Sequence, residues 1–232
     1  MRILAVIPCR RNSTRVAGKN TLVIGGKPNL LWTIEALRAC SRELTIAVLT
    51  DDPRAAAIAT EAGVLVVDEP PEVAGNDNLW VALGYAMQEV VGTFDCLMLA
   101  PACNPIRPTG YFDSICDKLA VTGCDGVMSV AQVRPHQHPR FLHLLIDGER
   151  PVSVAFGPVG NSQDFTPLYC DAALGYVWTW ATAERNVVDR WMTARTTDIR
   201  AIQLTADQWV DIDEPIDVEW AEFLLSRKTA RG

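Results

Sequence analysis

Four cations, Arg10, Arg11, Arg15 and Lys19, fall within ten residues of the stretch AVIPCRRNSTRVAGKN, which runs from Ala5 to Asn20. The residues between them are mostly small or hydroxyl-bearing. Such a loop is suited to an anion. Backbone N–H groups in turns point at oxyanions, and Arg and Lys add charge and forked hydrogen bonds. The GxxxxGK[ST] pattern of a P-loop is absent, so a phosphate held here is held by other means. The chain as a whole carries a formal charge of −7, so the basic run is a local feature, not the footprint of a nucleic-acid binder.

A second constellation lies near the C-terminus, in WVDIDEPIDVEWA at 209–221. Asp211 and Asp213 are two apart, and in an extended segment such residues point to the same side. Two carboxylates facing one spot repel unless a cation sits between them. A small set of hard oxygen ligands, with room left for waters and phosphates, suits Mg²⁺. A plainer reading is that Asp213 caps the last helix, with Glu214 and Asp217 complementing its dipole. That accounts for Asp213 but not for Asp211, and the two readings stay open together. Combined with the basic loop, they point to an enzyme that binds a nucleoside triphosphate with Mg²⁺.

These residues need a frame, and strand-like and helix-like stretches alternate along most of the chain. Strands are expected at 2–8, 44–49, 64–67, 95–99, 126–131, 172–180 and 199–204. Helices are expected at 29–40, 79–91, 109–122, 184–193 and 215–227, with another that Asp52 caps and Pro53 opens. The spacing implies parallel β-α-β units and a sheet covered on both faces. The basic loop then leaves the carboxyl end of the first strand, where such sheets bind ligands. Residues 132–170 break the pattern with turn-rich pieces and read as a β-rich insertion in a single domain spanning 1–232.

The length allows a proper core, and no run approaches the roughly 18 apolar residues of a membrane span. The N-terminus lacks a signal-peptide pattern, so a cytoplasmic protein without membrane or nucleic-acid partners is expected. Seven cysteines without a CxxC pair read as free thiols in a reducing compartment. The histidines of HQHP, His136 and His138, have no further ligands at zinc spacing. Trp178, Trp180 and Trp191 read as packing residues.

The stretch VIPCRRNSTRVAGKNTLVIGGKPNLLWTIEAL resembles the opening of the sugar-acid cytidylyltransferases, the acylneuraminate cytidylyltransferases and CMP-Kdo synthetases. Its features are an I-P-x-R, a basic residue after a short gap, K-N, G-K-P and a W-T-I-E-A helix. VDIDEPIDVEWAE is similar to the terminal D-I-D motif of the sialic branch. AGNDNL at 74–79 and NSQDFTPLYCDAAL at 161–174 match more loosely. The resemblance implies a Rossmann-like nucleotidyltransferase fold of the α/β class, with 132–170 as a dimerisation arm and a homodimer as the assembly. It implies that the hydroxyl of a 2-keto-3-deoxy sugar acid attacks the α-phosphorus of CTP and pyrophosphate leaves. Arg10 and Lys19 would hold phosphates, with Arg15 beside them, and Asn20 and Asp77 would line the nucleotide pocket. Asp211 and Asp213 would carry Mg²⁺, with Arg10, Lys19 and Asp211 as the catalytic set. Asn104, Gln163 and Asp164 would face the acidic acceptor.

The chain also departs from the pattern. APACNPIRP at 100–108 places Ala100 where the sugar-contacting Gln would stand, and Asn104 would substitute for it. Ser162 replaces the Arg before Gln163, Ala172 replaces the Gly of N-G-A, and Glu69-Pro70 replaces the common R-P. The nucleotide and metal end matches, and the acceptor end does not. The resemblance implies a sialic acid-like nonulosonate as the acceptor, and the departures keep Kdo or a non-sugar acid such as a phosphonate as alternatives. A catalytically inactive nucleotide-binding homologue is the rival from another class.

Overall fold

The computed structural model describes residues 1–11, 15–75, 78–133, 143–146, 150–153, 166–189 and 198–229. Its centre is strand β1 (Arg2–Pro8), whose apolar run from Ile3 to Ile7 is wholly buried. A strand with apolar residues on both faces must be covered on both, and here it is. On one side it pairs with β4 (Glu43–Thr50), which pairs with β5 (Leu65–Asp68). On the other side it pairs with β6 (Cys96–Leu99), followed by β10 (Tyr169–Thr179), β7 (Gly126–Gln132) and β11 (Ile199–Leu204). The order in this sheet is β11-β7-β10-β6-β1-β4-β5. Six strands run parallel and β10 runs against them, so the parallel expectation holds for all but that strand.

The chain first builds from β1 outward to β5, then returns to the other side of β1 with β6. That reversal opens a crevice at the carboxyl ends of β1 and β6, the place where open α/β sheets take ligands. Helices α1 (Asn29–Arg38), α2 (Pro53–Glu61) and α5 (Tyr111–Thr122) cover one face with Leu30, Ile34, Ala55, Phe112 and Ile115. Helices α4 (Leu79–Glu89) and α6 (Trp180–Asp189) cover the other with Trp80, Leu83 and Ala183. Trp178 is buried there, stacked on Tyr176 and 4.9 Å from Trp80, so it packs the core as expected. The final helix α7 (Pro215–Thr229) belongs to a third cluster with Val16, Ile24 and Ile106, which ties the C-terminus to the first loop.

Most boundaries fall within two or three residues of expectation; α6 starts at Trp180, four residues before the expected 184, and three further features stand out. GGKP is the tip and return of a small hairpin, β2 (Val23–Ile24) with β3 (Lys27–Pro28), in which both glycines take positive φ. A short helix, α3 (Pro71–Ala74), follows Pro70. The insertion is narrower than 132–170, because Gln132 ends β7 and Tyr169 and Cys170 begin β10. Within it, β8 (His143–Ile146) and β9 (Arg150–Ser153) form an antiparallel hairpin, which agrees with a β-rich segment.

Candidate active site

The basic loop leaves β1 at the expected rim and is held from below by backbone bonds. Cys9 N donates to Leu49 O at 2.8 Å, and Arg11 N donates to the Asp51 carboxylate at 2.6 Å. Its second half is a turn in which Thr21 N and Leu22 N both donate to Gly18 O at 2.9 Å, with Gly18 at φ 62°. The start of α1 then locks the loop. Leu30 N donates to Asn20 O at 2.8 Å, and Asn29 Nδ2 donates to Lys19 O at 3.1 Å. Asn20 turns inward and donates weakly to Arg10 O at 3.4 Å.

The D-I-D segment lies against this loop. Val210 bridges Ile106, and Ile212 N donates to Cys103 O at 3.0 Å, so the segment runs extended with Val210 and Ile212 buried. Asp211 and Asp213 alternate with them on the other side, as the spacing requires. Lys19 Nζ and Arg15 Nη2 both meet Asp213 Oδ1, at 2.8 and 2.9 Å. Asp213 is not the helix cap. Asp217 takes that part, its Oδ2 accepting from Asp213 N at 2.9 Å and Glu214 N at 2.7 Å. A carboxylate in the first turn of α7 can reach back to those orphan N–H groups. Asp213 is thereby free to face the cations.

Electrostatics separate the two aspartates. Burial pushes the Asp211 carboxyl above the ordinary carboxylate range, Cys103 offsets this in part, and Asp213 adds repulsion. Burial alone would lower Lys19, but Cys103 and the Asp213 and Asp211 carboxylates outweigh it and raise the ammonium. Burial and the neighbouring Asp211 push the Cys103 thiol up to about 12, and burial pushes Cys9 higher still. Neither sulfur is an activated nucleophile, and all seven cysteines are free.

The donor set fits a divalent metal. Asp211 Oδ1 is buried with no hydrogen-bond partner, which is costly unless something positive takes it. Its neighbours are a second carboxylate, the basic loop and the Cys103 thiol, which burial keeps protonated. Among the described residues no group of three or more His, Cys, Asp or Glu could hold a metal ion by itself, so an ion at this pair would need ligands from the nucleotide or water.

Arg10 stands apart from this pair. Its Nε donates to Glu69 Oε1 at 2.9 Å, and its Nη2 donates to Val73 O at 3.2 Å. Glu69 follows β5 and its side chain is fully buried. Burial raises its carboxyl, and the Arg10 guanidinium pulls it back down. The part Glu69 plays was not anticipated from sequence; the signal was the exchange of the common R-P for Glu69-Pro70, which placed an acid beside a predicted phosphate ligand.

The acceptor side is less as expected. Asn104 is completely buried, its Nδ2 donating to Ala173 O at 3.1 Å, so it braces the loop after β6 and does not line an open pocket. Arg107 holds the same loop from within, donating to Pro101 O, Asn104 O, Leu174 O and Thr33 Oγ1. A cleft of about 850 Å³ opens beside the two aspartates, lined by Asp171, Asp211, Asp213 and Asp217 with Trp209 and Trp220. Asp77, Gln163, Asp164, His136, His138 and Trp191 lie outside the described residues.

Comparisons with known proteins find cytidylyltransferases. A family model described as Cytidylyltransferase matches residues 4–78, which span the basic loop and the Arg10–Glu69 pair. The chain is 33% identical over 97% of its length, and 97% of the relative's, to a CMP-N,N'-diacetyllegionaminic acid synthase of Legionella pneumophila subsp. pneumophila. It is 31% identical over 57% of its length, and 51% of the relative's, to a 3-deoxy-manno-octulosonate cytidylyltransferase of Vibrio campbellii. A solved CMP:2-keto-3-deoxy-manno-octonic acid synthetase complexed with CTP superposes with a TM-score of 0.73 at 16% identity, covering 98% of this chain and all of that one.

Proposed function

We infer the function from one premise, that this chain belongs to the cytidylyltransferase family whose members make CMP-sugar acids. It transfers CMP from CTP to the hydroxyl of a sialic acid-like nonulosonic acid and releases pyrophosphate. The observation that carries this reading is the meeting of Arg15 and Lys19 with Asp213, next to Asp211, whose Oδ1 is buried without a partner. Cations for a triphosphate and carboxylates for a divalent metal converge at the rim of the sheet.

Direct attack on phosphorus asks the protein for positioning and charge neutralisation. Arg10, Arg15 and Lys19 supply positive charge to the polyphosphate, and Asn20 orients the turn that presents them. When the nucleotide enters, Arg15 and Lys19 exchange the Asp213 carboxylate for phosphate oxygens, so neither is left without a counter-charge. Asp211 and Asp213 are the residues that would hold Mg²⁺, which would neutralise the triphosphate and raise the acidity of a coordinated hydroxyl. The acceptor enters through the acidic cleft. Among its described lining residues there is no cation, so its carboxylate is met by the bound metal or by groups elsewhere, among which Gln163 and Asp164 remain our acceptor candidates. Asp77 remains a nucleotide-pocket candidate. A cytoplasmic homodimer is part of the same proposal, supported by the β8–β9 hairpin in the segment read as an arm.

The test is pyrophosphate release from CTP and Mg²⁺ with legionaminic, sialic, pseudaminic and Kdo acids and a set of phosphonates. Release with one nonulosonic acid and with CTP alone among the four nucleotides is expected. A chain that binds CTP but transfers to none of the acids would favour the inactive homologue.

A further inference from the structure

Glu69 is a buried acid at a site built to bind a polyanion, and only half of it is explained. Oε1 accepts from Arg10 Nε at 2.9 Å, while Oε2 is buried without a donor. A buried carboxylate oxygen left bare is costly, and such atoms persist where a ligand or ion completes them. A metal is a poor candidate, because Arg10 already fills the cation's place beside this carboxylate. What is missing is a neutral N–H donor.

The topology says what would bring one. The metal pair and the acidic cleft lie toward β7, β10 and β11, and the basic loop rises from β1 in the middle of the sheet. The acceptor approaches the α-phosphorus from the cleft side. The nucleoside half of the nucleotide must then extend the other way, over the carboxyl ends of β4 and β5. Glu69 stands at that end of β5, its N–H anchored on Thr50 O at 2.9 Å. The exchange of the common R-P for Glu69-Pro70 reverses the hydrogen-bonding sense of the position, from donors to acceptors.

We propose that Glu69 selects the base, its Oε2 accepting a hydrogen bond from the exocyclic amino group of cytosine. This rests on the reading of CTP as substrate. Carboxylates pair with the cytosine amino group because it is a donor, whereas uracil presents a carbonyl oxygen at the same place and would set acceptor against acceptor. Rejection of the analogue that lacks the donor follows from the same buried, unpaired oxygen. Oε2 is sealed from solvent, so the base reaches it only by displacing the side chains that cover it. Arg10, tied to the other oxygen, keeps the carboxylate turned in one direction.

The experiment is calorimetric titration with Mg²⁺ present, using CTP, UTP and the triphosphate of the pyrimidin-2-one riboside, which lacks the amino group. The wild type is expected to bind CTP about 10- to 100-fold tighter than the deaminated analogue. In Glu69→Ala and Glu69→Leu that preference should collapse toward parity, with UTP gaining relative to CTP. If both variants keep the wild-type preference while all three affinities fall together, Glu69 only positions Arg10 and the proposal is overturned. Equal wild-type affinity for CTP and the analogue overturns it without any variant, which covers the case of a variant that does not fold. A wild type that binds none of the three overturns the reading of CTP itself, a result distinct from loss of base selection.

Discussion

One carboxylate oxygen of Asp213 carries two cations, while its neighbour Asp211 carries none. That asymmetry yields distinct expectations for the two ends of the site. Asp211→Asn should lower turnover roughly 100-fold or more, in line with the loss of a charge-stabilising group. It should not lower stability. The folded state holds the Asp211 carboxyl above its ordinary value, so it favours the protonated form. The stability this gives is present below the unfolded value near 3.9 and lost as pH rises through the folded one. At neutral pH the amide should therefore melt at or above the wild-type temperature, and the difference should disappear in acid. Lys19→Ala removes a charged hydrogen-bond donor and should weaken CTP binding about 10- to 100-fold; unchanged affinity would refute its phosphate contact. Most of these residues were legible from type and spacing. The Glu69–Arg10 pair was not, because its partners are far apart in sequence and meet only when β1 and β5 lie at one rim.

The elements were easier to read than the way they lock together. Period and turn chemistry mark strands and helices, and Asp52 caps α2 as its place before Pro53 implied, accepting from Arg54 N at 2.9 Å. Asp52→Ala should cost about 1 kcal/mol, seen as a lower melting temperature with CTP affinity little changed. Arg107 is the opposite case. Nothing in its local sequence distinguishes it from a surface arginine, yet it is buried and binds four acceptors from α1, β10 and the loop after β6. Burial lowers its guanidinium to about 10. Arg107→Ala would strand those acceptors and should cost about 3–5 kcal/mol, read by denaturant unfolding. The same loop misled the reading of Asn104. An amide near the expected acceptor position reads as a ligand, but three-dimensional packing turned it inward to brace Ala173, which itself sits at φ 47° in an irregular stretch of β10.

For the molecule as a whole, the sheet puts the basic loop and the D-I-D segment at one rim; the place of the loop followed from strand–helix alternation, whereas the reversal of strand order beside β1 is seen only in the fold. The antiparallel β10 did not follow from it either, since alternation says nothing of direction once a long insertion intervenes. Assembly belongs to this scale too. Sedimentation equilibrium should give a dimer, and deletion of the β8–β9 hairpin should shift it toward monomer; a wild-type monomer at all concentrations would remove the arm from the account. No helix among the described residues is long and apolar enough to cross a membrane. The central claim is that the basic loop and the paired aspartates form one site for a cytidine triphosphate with its metal. Titration of the wild type with CTP, with and without Mg²⁺ and beside ATP and GTP, tests it most directly. Tight binding of CTP that depends on Mg²⁺ and far exceeds that of the purine nucleotides is the predicted result. No binding of CTP, or binding indifferent to base and metal alike, would contradict it.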